Sequence, residues 1–125
     1  MIAFYFGHLC FNDSACEQSV LIVVAPKSEF PSLDFFIADA LNFLESDSEF
    51  CDNWNEIYKD RTYLPASDDV IAQMKSTLGE MNQRISILYE PIIKAVYVIP
   101  PKWNDISLEL ETKNEYIFYI WGTSA

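Results

Sequence analysis

The sequence is poor in the residues that phosphate-binding, metal-binding and disulfide-stapled chains depend on. Three glycines in 125 residues leave little material for backbone cradles, and neither a G-x-x-x-x-G-K-[ST] loop nor a G-x-G-x-x-G turn occurs. One histidine, His8, excludes a His-Glu-x-x-His centre. Three cysteines, Cys10, Cys16 and Cys51, are an odd number and do not make a disulfide framework, so a reducing cytoplasm is the expected compartment. The first eight residues carry no basic side chain, and a secretory signal is not expected. No run of about 18 apolar residues is present, so no membrane span is expected. Positive charge is also scarce. Eight basic residues face 19 acidic ones, and a net charge of −11 argues against binding nucleic acid or an anionic membrane through phosphates.

What is present is material for a core. Half of the residues are hydrophobic and 15% are aromatic, which fits one folded domain over residues 1–125. The most legible stretch runs from Ser67 to Pro91. Ile71, Met74, Leu78, Met81, Ile85, Leu88 and Ile92 recur at steps of 3 and 4, one face of an α-helix. Ser67 suits the N-cap, Asp68 and Asp69 suit the positive end of the helix dipole, and Pro91 stops the element. A helix over 68–89 is expected. Gly79 costs about 1 kcal/mol in a helix interior, and Ile85–Tyr89 also alternates like a strand. A break at Gly79 would therefore leave an extra strand.

A second helix is expected over 32–46, where Leu33, Phe36, Ile37, Ala40, Leu41 and Leu44 form a stripe. Phe50, Trp54, Ile57 and Tyr58 have the spacing of a short helix within 51–59. Strands are expected at 2–6, 20–25, 92–99, 105–111 and 115–121. The run Val20–Ala25 lacks alternation and reads as a central strand covered on both faces. Ile106, Leu108 and Leu110 alternate with Ser107, Glu109 and Glu111, which predicts one wet face. The expected fold is α+β: a mostly antiparallel sheet of about five strands, the N-terminal strand pairing with the C-terminal set, and the helices on one face.

Candidate chemical centres are few. His8, Cys10 and Cys16 match no zinc spacing, and buried thiols beside a satisfied histidine are the better reading. Glu45, Asp47, Glu49 and Glu56 imitate a calcium loop, but Phe50 stands where the sharp turn needs glycine. No nucleophile elbow occurs, and carboxylate pairs leave no local signature in a chain this acidic. No catalytic, cofactor or metal site is therefore expected.

The clearest functional signal is where the charge lies. From Asp34 to Asp69 there are ten acidic residues, opposed only by Lys59 and Arg61. Trp54 and Tyr58 lie inside this segment as candidate aromatic anchors. The expected contact residues for a basic protein partner are Asp47, Glu49, Asp52, Trp54, Glu56, Tyr58 and Asp60. In size, charge and α+β build over the whole chain, the sequence resembles the small acidic immunity proteins of bacterial toxin systems, including contact-dependent growth inhibition. The resemblance rests on no motif and carries over no residue. It implies a non-enzymatic cytoplasmic inhibitor that neutralises a basic, nuclease-like toxin by binding it. Two other readings stay open: an acidic DNA mimic that occupies a DNA-binding protein, and a small enzyme or ligand-binding domain with a pocket between helices and sheet.

Overall fold

The computed structural model describes residues 1–9, 17–50, 52–80, 87 and 89–123. Its strands are β1 (Ile2–Leu9), β2 (Gln18–Pro26), β3 (Leu64–Pro65), β4 (Lys94–Tyr97), β5 (Asp105–Glu111) and β6 (Glu115–Thr123). Its α-helices are α1 (Leu33–Ser46), α2 (Trp54–Ile57) and α3 (Asp68–Glu80). Among the described residues the six strands form one antiparallel sheet in the order β1-β2-β6-β5-β4-β3. The α+β class and the antiparallel sheet agree with the sequence reading.

The pairing differs from it in two respects. β1 does not reach the C-terminal strands; it pairs with β2, and β2 pairs with β6 along its whole length, from Gln18↔Thr123 to Pro26↔Glu115. The uniformly apolar run is thus an inner strand, as its composition requires, and β1 is left at the edge. β3 is a further departure. Its two residues pair with Val96 and Tyr97 of β4 and are too short to carry a periodic signal.

The helices do not share a face. Met74 and Leu78 of α3, with Ile87, pack on Val20, Ile22, Leu108, Ile117 and Tyr119. Phe36, Ile37, Ala40, Leu41 and Leu44 of α1 pack with Tyr58 on Leu21, Val23, Ala25 and Phe118. The residues alternate along β2 and β6, so these are opposite sides of the sheet. The physical reason lies in the central strands, which are apolar on both sides. At about 2 kcal/mol for each buried Leu, Ile or Val, a single helical layer would leave on the order of 10 kcal/mol of burial unused.

This arrangement also overturns the wet face of β5. Ser107 is 1% exposed and Glu109 is 0% exposed. Both lie on the α1 side of the sheet, and the segment after α2 packs against Ser107. The Tyr58 hydroxyl shares a 2.8 Å hydrogen bond with Ser107 Oγ. The Thr62 N–H donates to the Val98 carbonyl at 3.0 Å, which ties that segment to the sheet.

The start of α3 follows the sequence. The Val70 N–H donates to Ser67 Oγ at 3.3 Å, and Gly79 sits within the helix, with open space where a Cβ would project. The expected continuation to residue 89 falls mostly outside the described residues, on 81–86 and 88. Ile87 is a buried 3-10 position and Tyr89 and Glu90 form a turn, so the helix has ended before Tyr89. Cys10, Cys16 and Cys51 also lie outside the described residues.

Candidate protein-binding surface

The acidic segment begins on α1. The stripe that buries Phe36, Ile37, Ala40, Leu41 and Leu44 turns Asp34, Asp39, Asn42 and Glu45 outward. The helix ends at Asp47, whose extended backbone stops the ladder while its N–H still donates to the Leu44 carbonyl. The Asp47 carboxylate accepts from the Glu49 N–H at 2.8 Å and so organises the 3-10 turn Ser48–Phe50. The Asp52 carboxylate accepts from the neighbouring Asn53 N–H at 2.8 Å, just before α2.

From α2 the chain runs back along α1. Near the C-terminal end of α1, the Asn55 N–H donates to Glu45 Oε1 at 2.9 Å and the Asn55 amide donates to Asn42 Oδ1 at 2.9 Å. Near the N-terminal end, Arg61 Nε donates to Asp34 Oδ1 at 3.3 Å. The two elements are therefore fastened side by side over the length of α1, about 20 Å at 1.5 Å per residue. Their outward carboxylates consequently form one surface. Asp39, Glu45, Glu49, Asp52, Glu56 and Asp60 are all exposed on it.

The two basic side chains of the segment are engaged within it. Lys59 pairs with Glu56 at 2.9 Å, and Arg61 with Asp34. Tyr63, held in the left-handed region at φ 50°, donates a short hydrogen bond to the same Asp34 oxygen. That bond and the Arg61 guanidinium hold the Asp34 carboxyl below its ordinary range. Burial, with the same bond to Asp34, pushes the Tyr63 phenol up to about 12.

Of the seven contact residues expected from sequence, Glu49, Asp52, Glu56 and Asp60 are exposed on this surface, and Asp47 is half-buried. The aromatic anchors need correction. Tyr58 is 3% exposed, with its ring edge-on to Phe118 and its hydroxyl bonded to Ser107, so it belongs to the core. Burial pushes its phenol far upward. Trp54 stacks on Tyr58 at 6.2 Å and donates its indole N–H to the Phe50 carbonyl at 2.6 Å, which leaves it half-buried. The apolar side chains that this layer does expose are Phe35, at 62%, and Ile57, at 46%. Phe35 was legible as a large apolar residue off the α1 stripe. Ile57 was hidden because its spacing matched the stripe of α2.

Among the described residues no group of three or more His, Cys, Asp or Glu is placed to hold a metal ion, and no helix is long and apolar enough to cross a membrane. Comparison with family models, with curated proteins and with solved structures gave no match.

Proposed function

We propose that this chain is a non-enzymatic binding protein whose α1–α2 layer docks on a basic protein, in the manner of an immunity protein that covers the phosphate-binding cleft of a nuclease-like toxin. The observation that carries the proposal is the joining of α1 and the 55–61 segment into one face, with six exposed carboxylates and both local cations already paired. Such a face steers a basic partner by long-range attraction and raises the association rate. Phe35 and Ile57 supply apolar contact that becomes desolvated on docking.

The test is affinity capture from a lysate of the encoding organism, followed by purification of the basic protein recovered. Reversal of Glu49, Asp52, Glu56 and Asp60 to lysine is expected to slow its association at least a hundredfold at low salt. Recovery of no basic protein, or an association rate unchanged by the reversal, overturns the proposal.

A further inference from the structure

A cavity of about 320 Å³ lies at one end of the sheet, lined by Tyr5, Glu17, Gln18, Ser19, Asn104, Gly122 and Thr123. Its origin is a coincidence of small side chains. Ser19 on β2 stands directly opposite Gly122 on β6, and Gly122 stands opposite Asp105 on β5. By the alternation of the strands, Ser19 shares the face of Leu21 and Val23, which is the α1 side. A Cβ built on Gly122 would stand in ordinary van der Waals contact with the Asn104 carbonyl at 3.6 Å and Ser19 Oγ at 3.7 Å, so a side chain here would take up room at the floor of the recess.

The walls are fixed by the fold. Tyr5, opposite Leu21 on β1, is 57% exposed and forms one side. Its ring meets Phe50 edge-on at 6.2 Å, and Phe50 closes the turn that bears Glu49. The recess therefore adjoins the acidic layer. On the other side, the Thr123 hydroxyl donates to the Glu17 carbonyl at 2.9 Å and the Thr123 N–H donates to the Asn104 carbonyl at 3.1 Å. These bonds hold Glu17 and Asn104 at the rim.

Among the described residues the lining holds one carboxylate, on Glu17, with the oxygens of Ser19, Asn104 and Thr123, an aromatic ring and no Lys or Arg. A planar cation with several donors fits this set better than a point charge does. A guanidinium can stack on the Tyr5 ring while its fork of N–H groups meets carboxylate and hydroxyl oxygens. The volume is at the low end for ligand sites and suits one amino-acid-sized group.

We propose that this recess is the socket for an arginine side chain of the basic partner, the anchoring contact beside the acidic α1–α2 layer. It rests on the docking reading given above. Whereas the carboxylates steer, the socket would select arginine over lysine.

The test uses the ¹⁵N-labelled protein with N-acetyl-arginine-N-methylamide, the corresponding capped lysine and free L-arginine. The capped arginine is expected to give saturable shifts centred on Tyr5, Ser19, Asn104 and Gly122, at least fivefold tighter than the capped lysine. Gly122→Ala, whose methyl group makes only ordinary contacts with the Asn104 carbonyl and Ser19 Oγ, narrows the recess and is expected to weaken the capped arginine severalfold. Glu17→Gln changes no volume and is expected to weaken it severalfold. Equal binding of lysine, shifts spread over the carboxylates of residues 39–60 instead of the recess, or unchanged binding in both variants overturns the socket. Tighter binding of free arginine than of the capped residue also overturns it, in favour of a free amino-acid site. No partner protein is needed, so loss of the socket with the charge-reversal effect intact removes only the anchor. The converse result removes only the docking face.

Discussion

Glu109 is the residue at which a single change should have the largest readable effect on stability. It stands in the middle of β5, between Val96 of β4 and Phe118 of β6. Its side chain is fully buried, and neither carboxyl oxygen has a hydrogen-bond partner among the described residues. Burial raises its pKa from 4.5 to about 8; Glu111 on the same strand adds to the rise, and Lys94 and Lys27 oppose it. Between those two values the folded protein keeps a proton that the unfolded chain has released. Stability therefore falls as pH rises through the window, by up to about 1.4 kcal/mol per pH unit. From 4.5 to about 8 the loss amounts to roughly 5 kcal/mol, and by pH 7 to roughly 3 kcal/mol, a large share of the usual 5–15 kcal/mol of a domain.

Glu109→Gln keeps the shape and removes the titration. Urea unfolding of both proteins from pH 5 to 8 should show the stability difference, variant minus parent, rising by about 4 kcal/mol. A difference that does not change with pH would mean that the folded carboxylate is solvated or paired, and would refute the reasoning. Glu109→Leu carries the same logic further. It removes the unpartnered oxygens altogether and should be the more stable of the two variants at pH 8.

Three smaller predictions concern single interactions. Tyr58→Phe leaves the Ser107 hydroxyl buried without its 2.8 Å partner and should cost about 1–2 kcal/mol in chemical denaturation, part of which the double variant with Ser107→Ala recovers. Gly79→Ala, at an exposed helical position with free space around the new methyl group, should stabilise the protein by about 1 kcal/mol. Tyr63→Phe removes the bond that holds the Asp34 carboxyl down, and the Asp34 pKa should move up toward its ordinary 3.8 in an NMR titration.

Sequence reading found what depends on periodicity. The α1 stripe, the unbroken run of β2 and the cap at Ser67 each reflect local rules, and each appears where those rules place it. It went astray where a decision depends on the partner element. An amphipathic helix has the same pattern whichever side of the sheet it covers, so α1 and α3 could not be assigned to faces individually. The usable signal was in β2 and β6, which are apolar on both sides and require two layers. Ser107 and Glu109 alternate as a wet face would; their burial appears only in the folded chain, where Tyr58 reaches Ser107 and both lie on the α1 side of the sheet. The acidic layer was legible by counting, but its anchors were not. Tyr58 and Phe35 differ in which side of their helical turn meets the sheet. The recess at Gly122 was invisible because it depends on the register that sets Ser19 opposite it.

The most direct measurement of the docking proposal compares two charge changes of equal size. In the first variant Glu49→Gln and Glu56→Gln neutralise the α1–α2 layer; in the second Asp69→Asn and Glu80→Gln neutralise exposed positions of α3, across the sheet. Association rates with the purified basic partner are followed by stopped flow from 20 to 500 mM salt. Docking through the α1–α2 layer predicts at least a tenfold slower association at low salt for the first variant, a loss that fades as salt screens the charges, and little change for the second. Equal slowing of both would show that net charge alone attracts the partner, and an unchanged rate in the first would contradict docking through this face.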